Sequence, residues 1–316
     1  MDADIDADID VVIVSWNTRE ELLACLASLA ASPLPRLHVV VVDNASSDGS
    51  ADAVAAAFPD VELLRRPHND GFAVAANAGV RAGRARAALF LNPDTVVPPG
   101  TLATLVDHLD ALPHHAAVAP RLRGADGALQ HSVHRFPSLG ISLLLALGLQ
   151  HLAPRALRAR WLLEGSWHGD TDRDVDWAVF AAILVRRQVL DEVGPLDEGR
   201  HLYAEDLEWC LRATRAGHPV RFTPHAEVIH LGERSAVRAL GDDRLGAKLA
   251  SAAAVNRRTR GTPWALLFDV INGGATLGRY GFWWATYRAR RSPRALRGLN
   301  TWRPYARYYL GRGRTS

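Results

Sequence analysis

Apolar and polar positions alternate in blocks along the first two-thirds of the chain. Val11-Val12-Ile13-Val14 is a β-branched run of buried-strand character. From Glu20 to Ala31 the spacing of Leu22, Leu23, Leu26 and Leu29 predicts a helix. Leu37 to Val42 predicts a second buried strand, a helix covers Ala51 to Phe58, and Val61 to Leu64 makes a short third strand. Strand, helix, strand, helix is the pattern of a parallel sheet with right-handed crossovers. His68 to Gly79 then passes a glycine turn into a small-residue helix, whose backbone N–H groups suit a phosphate. Ala87 to Leu91 reads as another buried strand and Thr101 to Leu112 as a helix.

Beyond these blocks the pattern is less regular. Val118 to Arg123 suggests a strand, with a hairpin turn at Gly124-Ala125-Asp126-Gly127. Residues 130–169 fit no single layer; their apolar segment 139–149 lies between Pro137 and Pro154 and predicts a core helix, with a membrane-interface or acceptor-lipid contact as the alternative. Val175 to Arg186 reads as a strand leading into a short helix at Gln188 to Val193. A helix follows Tyr203-Ala204-Glu205-Asp206, acidic at its start and basic later, as the helix dipole favours. Val220-Arg221-Phe222 is a last strand, and His225 to Arg234 carries His230 before a loop.

The hexapeptide Phe90-Leu91-Asn92-Pro93-Asp94-Thr95 ends a strand in one carboxylate. Pro93 stops the ladder, so Asp94 belongs just past the strand's carboxyl end, where open α/β sheets bind ligands. A carboxylate there suits a divalent metal shared with a diphosphate; a turn Asp is the plain alternative. No Gly-x-Gly-x-x-Gly follows the first strand, which argues against a nicotinamide dehydrogenase.

At 316 residues the chain has room for one large domain with an appendage, or for two. Its net charge of +3 is mild but unevenly placed: the first ten residues are rich in Asp, and no acidic residue follows Asp269. Lys248 is the only lysine; arginine supplies the remaining basic charge. Cys25 and Cys210 are the only cysteines and both sit in apolar settings, so a disulfide framework is not expected. The acidic opening lacks the basic n-region of a signal peptide, and the longest apolar run is too short to span a bilayer. A cytoplasmic protein is expected, soluble or peripheral on the inner face of the plasma membrane.

Taken together, Val11–Asn17, Val39–Ser50, Asn69–Gly79, Phe90–Thr95, Val185–Arg187, Gly194–Arg212 and Pro224–Ser235 resemble glycosyltransferase family 2, in its rhamnosyltransferase-like branch. The resemblance covers roughly residues 9 to 235, in the correct order. It implies an α/β GT-A fold over 10–235; the residues outside it read by composition as an acidic flexible tail at 1–9, with a metal site as the alternative, and a helical Arg/aromatic-rich region at 236–316. It further implies an inverting transfer from a nucleotide diphosphate sugar, plausibly dTDP-rhamnose, to a glycan or polyprenyl-linked acceptor in cell-envelope polysaccharide synthesis. The same fold with a UDP-hexose or UDP-N-acetylhexosamine donor is the alternative, and a catalytically silent nucleotide-sugar-binding protein is the rival from another class.

The implied site follows residue by residue. Asp43 matches the acid that hydrogen-bonds the nucleotide base, with an Asx turn as a compatible local role. Ser15, Asn17, Asn69, Gly71, Asn77 and Asn92 fall on the donor side. Asp94 stands where the family binds its divalent metal, Mg²⁺ or Mn²⁺, with Asn92 in place of the first acid, and His230 aligns with a histidine that completes the metal shell in some members. Asp206 matches the catalytic base, and Tyr203, Glu205 and Trp209 are assigned to the acceptor side, the two aromatics as sugar-stacking faces. Departures from the family pattern, Phe180-Ala181, Leu196, His201 and Glu208-Trp209, are placed near the acceptor.

After Ala236 the resemblance fades. Residues 271–316 interleave tryptophan and tyrosine with arginine and contain no acid, which suits an anionic membrane surface; a helical appendage packed on the core is the alternative. No nucleic-acid-binding module accompanies these residues.

Overall fold

The computed structural model describes residues 8–32, 36–152, 154, 158–159, 162–163, 167–199, 204–232 and 244–311. The chain divides into two compact units, one formed by 1–136 and 163–239, the other by 137–162 and 240–316. The segment 137–162 thus groups with the C-terminal helices and not with the sheet that flanks it in sequence.

The first unit is built on strands β1 (Ile9–Ser15), β2 (Leu37–Asp43), β3 (Glu62–Arg65), β4 (Ala87–Leu91), β5 (Thr95–Val96), β6 (Ala117–Arg123), β7 (Leu129–Gln130), β8 (Val133–His134), β9 (Arg173–Val175), β10 (Trp177–Ala178), β11 (Ala182–Arg186) and β12 (Val220–His230). Ten of them form one sheet in the order β3-β2-β1-β4-β11-β6-β12-β5, with β7 beside β6 and β9 beside β12. β1 lies parallel to both β2 and β4, with Ser15 opposite Asp43 and Ile13 opposite Leu91. Order reverses at β1, so a crevice opens past the carboxyl ends of β1, β2 and β4. β11 returns antiparallel between β4 and β6.

Helices α1 (Arg19–Ala30), α2 (Ser50–Ala57), α3 (Phe72–Ala82), α4 (Thr101–Ala111), α6 (Arg187–Val193) and α7 (Glu205–Arg215) complete this unit; α5 (Leu139–Ala146) belongs to the other. The leucines that predicted the first helix divide as a helical face requires: Leu22, Leu26 and Leu29 are buried with Ile9, Val11 and Ile13, while Leu23 is half-buried. On the other face α3 packs close because it has no bulk. A Cβ on Gly79 would come within 2.5 Å of Val12 Cγ1 and 3.2 Å of Val42 Cγ2.

The expected acidic tail ends earlier than residue 9. Ile9 is fully buried in β1, and residues 1–7 lie outside the described residues. Asp10 is fully buried as well, but well answered: its Oδ2 accepts from Ala85 N at 2.8 Å and from the Arg187 guanidinium at 2.5 Å, and its Oδ1 lies 2.9 Å from His38 Nδ1. A buried carboxylate is tolerable only when paired in this way.

The second unit contains α5, α8 (Arg244–Arg260), α9 (Thr262–Arg290) and α10 (Pro293–Tyr309). Ser292 caps α10 by accepting from Ala295 N at 3.2 Å, and Pro293 takes the first helical position.

Candidate active site

Ser15, Asn17, Asp43, Asn69 and Gly71, five of the residues expected on the donor side, gather at the ends of β1 and β2. Asn17 adopts a left-handed backbone, φ +53°, and its Oδ1 accepts from Ser47 N at 2.8 Å. Its own N–H donates to Ser46 Oγ at 2.9 Å, so the β1 and β2 loops are laced together. Ser15 Oγ and Thr18 Oγ1 lie 2.9 Å apart beneath them. Asp43 is buried, and its Oδ2 accepts from Ser46 N at 3.2 Å, three residues on and so one residue beyond the N–H of the expected Asx turn. Its Oδ1 is buried with no hydrogen-bond partner. Leaving a buried acceptor unmatched costs about 1–3 kcal/mol, so such an atom calls for a donor from a ligand.

The glycine turn is tied to the same place. Asn44 Nδ2 donates to Asn69 Oδ1 at 2.8 Å and to Gly71 O at 3.3 Å, and Gly71 N donates to Asn69 Oδ1 at 3.1 Å. Gly71 has φ +94° at the start of α3, a conformation that disfavours any side chain.

Asn77 does not serve this site, contrary to expectation. Leu196 N donates to its Oδ1 at 2.9 Å, while its Nδ2 donates to Leu196 O at 2.9 Å and Glu198 Oε1 at 2.9 Å. It is buried and both ends of its amide are taken, so it clasps α3 to the 196–198 loop and has nothing to offer a nucleotide.

Asn92, Asp94 and His230 come together through a short antiparallel bridge. β5 pairs with the end of β12, setting His230 opposite Thr95, and Leu231 N donates to Asp94 O at 2.8 Å. Thr95 Oγ1 donates back to Asn92 O at 2.7 Å, closing the turn at Pro93. His230 Nε2 then lies 3.4 Å from Asp94 Oδ1 and 3.4 Å from Asn92 Nδ2. Gln130 sets the imidazole. Its Nε2 donates to His230 O at 2.8 Å, which turns its Oε1 toward His230 Nδ1, also at 2.8 Å. Nδ1 is therefore the N–H donor, which in the neutral ring leaves the Nε2 lone pair facing the Asp94 side.

Below this turn Cys25 Sγ lies 3.5 Å from Thr95 Oγ1. Burial pushes its thiol pKa up to about 12, partly opposed by the Thr95 hydrogen bond. It supports the turn as a neutral apolar group.

Asp206 sits in the first turn of α7, half-buried, with its Oδ1 accepting from Leu207 N at 2.7 Å. Glu205 beside it is buried. Tyr203 and His201 lie outside the described residues. Trp209 does not offer the sugar-stacking face expected of it: it is 0 % exposed, and its Nε1 donates to Gly194 O at 3.0 Å. Its ring meets Phe180 edge-on at 5.9 Å, and Phe180 in turn packs 4.9 Å from Phe90 on the strand leading to Asp94. The departures Phe180, Leu196 and Glu208 are likewise buried, Glu208 being held by Arg212 Nε at 2.9 Å. They are packing residues linking β4 to α7 and do not form an acceptor surface.

A sheet reversing at β1, with an unmatched acid at Asp43 on β2 and an Asp94–His230 pair at the β5–β12 bridge, has relatives of known activity. The sequence model described as glycosyl transferase family 2 matches residues 10–164. The N-acetylglucosaminyl-diphospho-decaprenol L-rhamnosyltransferase of Mycobacterium tuberculosis is 31% identical over 238 residues, covering 70% of this chain and 75% of that protein. The chain belongs to glycosyltransferase family 2. A second relative of this transferase, the pre-mycofactocin glycosyltransferase of M. tuberculosis, is 31% identical over 71% of the chain and 42% of its own length. The fold is GT-A. The mannosyltransferase PcManGT of Pyrobaculum calidifontis, solved with GDP-Man and Mn²⁺, superposes with a TM-score of 0.61 over 96% of the transferase and 84% of its own chain at 18% identity. S. aureus TarS residues 1–349, solved with UDP, gives 0.52 over 85% and 70% at 14% identity.

Among the described residues no group of three or more His, Cys, Asp or Glu side chains could hold a metal ion. The Asp94 carboxylate and the His230 lone pair nevertheless form a donor pair that a divalent ion accepts, provided a ligand's oxygens supply the remaining positions.

Proposed function

We propose that this transferase moves a sugar, rhamnose from dTDP-rhamnose, onto a hydroxyl of a glycan or polyprenyl-linked acceptor in cell-envelope polysaccharide synthesis. The observation that carries the donor assignment is the unmatched Oδ1 of Asp43 in the switch-point crevice. A carboxylate oxygen accepts the imide N–H of thymine or uracil, so Asp43 selects a nucleotide base by a bond the protein itself does not supply. The choice of rhamnose and of a lipid-linked acceptor rests on the name of the mycobacterial relative. Because thymine and uracil share the imide, a UDP-hexose or UDP-N-acetylhexosamine donor is the second reading of the same contact.

Asn17, Ser15, Asn69, Gly71 and Asn92 shape the donor pocket around that acid. Asp94 and His230 would hold Mg²⁺ or Mn²⁺ together with the bound nucleotide, and the chemistry such an ion would supply is neutralisation of charge on the diphosphate leaving group. Asp206 takes the acceptor proton as the hydroxyl oxygen attacks the anomeric carbon from the face opposite the diphosphate. The new C–O bond forms as the bond to the diphosphate breaks, and the anomeric configuration inverts without an enzyme-bound sugar.

The test is a thermal-shift panel of dTDP-, UDP- and GDP-sugars with and without Mn²⁺ or Mg²⁺, because a ligand of the folded state raises its apparent stability. A metal-dependent rise with dTDP-rhamnose is expected. No shift with any nucleotide would count against the whole assignment. Asp206→Asn should keep the shift and lose transfer, which separates an enzyme from a silent binder.

A further inference from the structure

The second unit is folded inside out. In α9 every exposed position from 263 to 285 is apolar or glycine, Leu266, Leu267, Val270, Phe282 and Trp284 among them. The polar side chains of the same stretch turn inward. Thr276 is buried, Asn272 Nδ2 donates to Ser142 Oγ at 3.1 Å, and the Arg279 guanidinium donates to Leu145 O while lying 5.1 Å from the Trp302 ring. α5 shows the same inversion. Ser142 is its buried residue, whereas Leu143 is 49% exposed and Leu147, just past its end, is 63% exposed. Leu152, in the following turn, is 81% exposed.

Single exposed leucines need no explanation, but a helix face many turns long without a charged side chain, its one hydrogen-bonding group the indole N–H of Trp284, does. In water this arrangement forfeits the burial that ordinarily stabilises a helix, so another apolar medium must cover the face. Among the described residues no helix is long and apolar enough to cross a membrane. Interfacial immersion is the remaining way for lipid to cover it.

Charge selects the medium. Arg288, Arg290, Arg291, Arg294, Arg297 and Arg303 are all exposed and follow directly on the apolar stretch, and no acidic residue occurs after Asp269. Exposed guanidinium groups with no ion pair among the described residues repel a second copy of the same surface and attract lipid phosphates.

We infer that α5 and α9 form a monotopic docking surface for an anionic bilayer, with the exposed leucines, Val270 and Phe282 entering the acyl boundary and the arginines of α9 and α10 lying on the headgroups. The surface joins the membrane-interface alternative read for 139–149 to the Arg/aromatic surface read for 271–316, and adds to them the apolar face of 263–270. The docking itself does not depend on the proposed reaction. Its use, holding the enzyme at the surface where a polyprenyl-linked acceptor resides, rests on that proposal.

The experiment is flotation of the full chain with phosphatidylcholine vesicles containing or lacking phosphatidylglycerol, for the wild type, L147E/V270E and R290Q/R291Q/R294Q. The exposed sites should leave Tm unchanged. Wild type should float with anionic vesicles in a salt-sensitive manner, L147E/V270E should partition at least tenfold less, and the arginine variant should lose its preference for phosphatidylglycerol. Failure of the wild type to float, or equal flotation by L147E/V270E, overturns the inference. So does a wild-type dimer in solution that L147E/V270E converts to a monomer. Transfer to a water-soluble acceptor glycoside, retained by both variants, keeps failure of docking distinct from failure of the transferase assignment.

Discussion

Gln130 holds His230 at two points, donating to its carbonyl at 2.8 Å and accepting from its Nδ1 at 2.8 Å. The pair fixes which ring nitrogen faces Asp94. Partners of this kind are worth roughly 10–100-fold in metal affinity. Gln130→Met should therefore raise the Mn²⁺ concentration needed for half-maximal nucleotide-dependent thermal shift by a factor in that range. Activity at saturating metal should change much less. An unchanged metal titration would show that His230 is not a ligand.

Asp43→Asn should separate stability from binding. The substitution removes a buried charge whose Oδ1 has no partner, so the nucleotide-free Tm should not fall. A hydrogen bond to a charged group contributes about 1.5–3 kcal/mol, so affinity for dTDP or UDP should fall roughly ten- to hundredfold. Calorimetric titration measures it.

Asn77→Ala removes the clasp on Leu196 and Glu198 and leaves the Leu196 backbone N–H and C=O unanswered in a buried setting. A loss of about 1–3 kcal/mol in urea unfolding is expected. Because the clasped loop leads toward Asp206, kcat should fall while donor affinity stays near wild type. A weakened donor affinity with normal kcat would restore Asn77 to the nucleotide pocket.

Trp209→Phe tests a core role against a sugar-binding one. The ring is 0 % exposed, so the variant should lower Tm and leave the acceptor KM unchanged. Trp209→Ala should cost about 3–5 kcal/mol of stability.

Cys25 and Cys210 are both buried, and burial pushes each thiol pKa from 9.0 to about 12. A folded-state pKa above the unfolded value stabilises the fold below pH 9; that contribution declines as pH rises toward 12. Stability should therefore begin to fall above pH 9. The native protein at pH 8 should resist a thiol reagent that labels both cysteines once it is unfolded.

The strands and loops at the start of the first unit were legible because local signals agree there: β-branched runs set β1 and β2, an apolar run set β4, and Pro93 ended the last of them. The meeting of Asp94 with His230 left no trace in spacing, since it depends on the β5–β12 bridge between distant segments. Gln130 was missed for the same reason; only the hairpin turn before it was visible. Trp209 was misjudged because α7 buries residues around most of its circumference, with the Glu208–Arg212 pair satisfied inside, so no face marked its orientation. Segment 139–149 looked like core because composition records apolarity and not direction.

The solitary Oδ1 of Asp43 has a kinetic consequence. Under the proposed assignment it recognises the base, the part of the donor that chemistry leaves unaltered. Spent and loaded nucleotides therefore satisfy it equally, so dTDP keeps this contact after transfer. Accumulated dTDP should compete with fresh donor, and a product-inhibition assay with dTDP as competitor measures it.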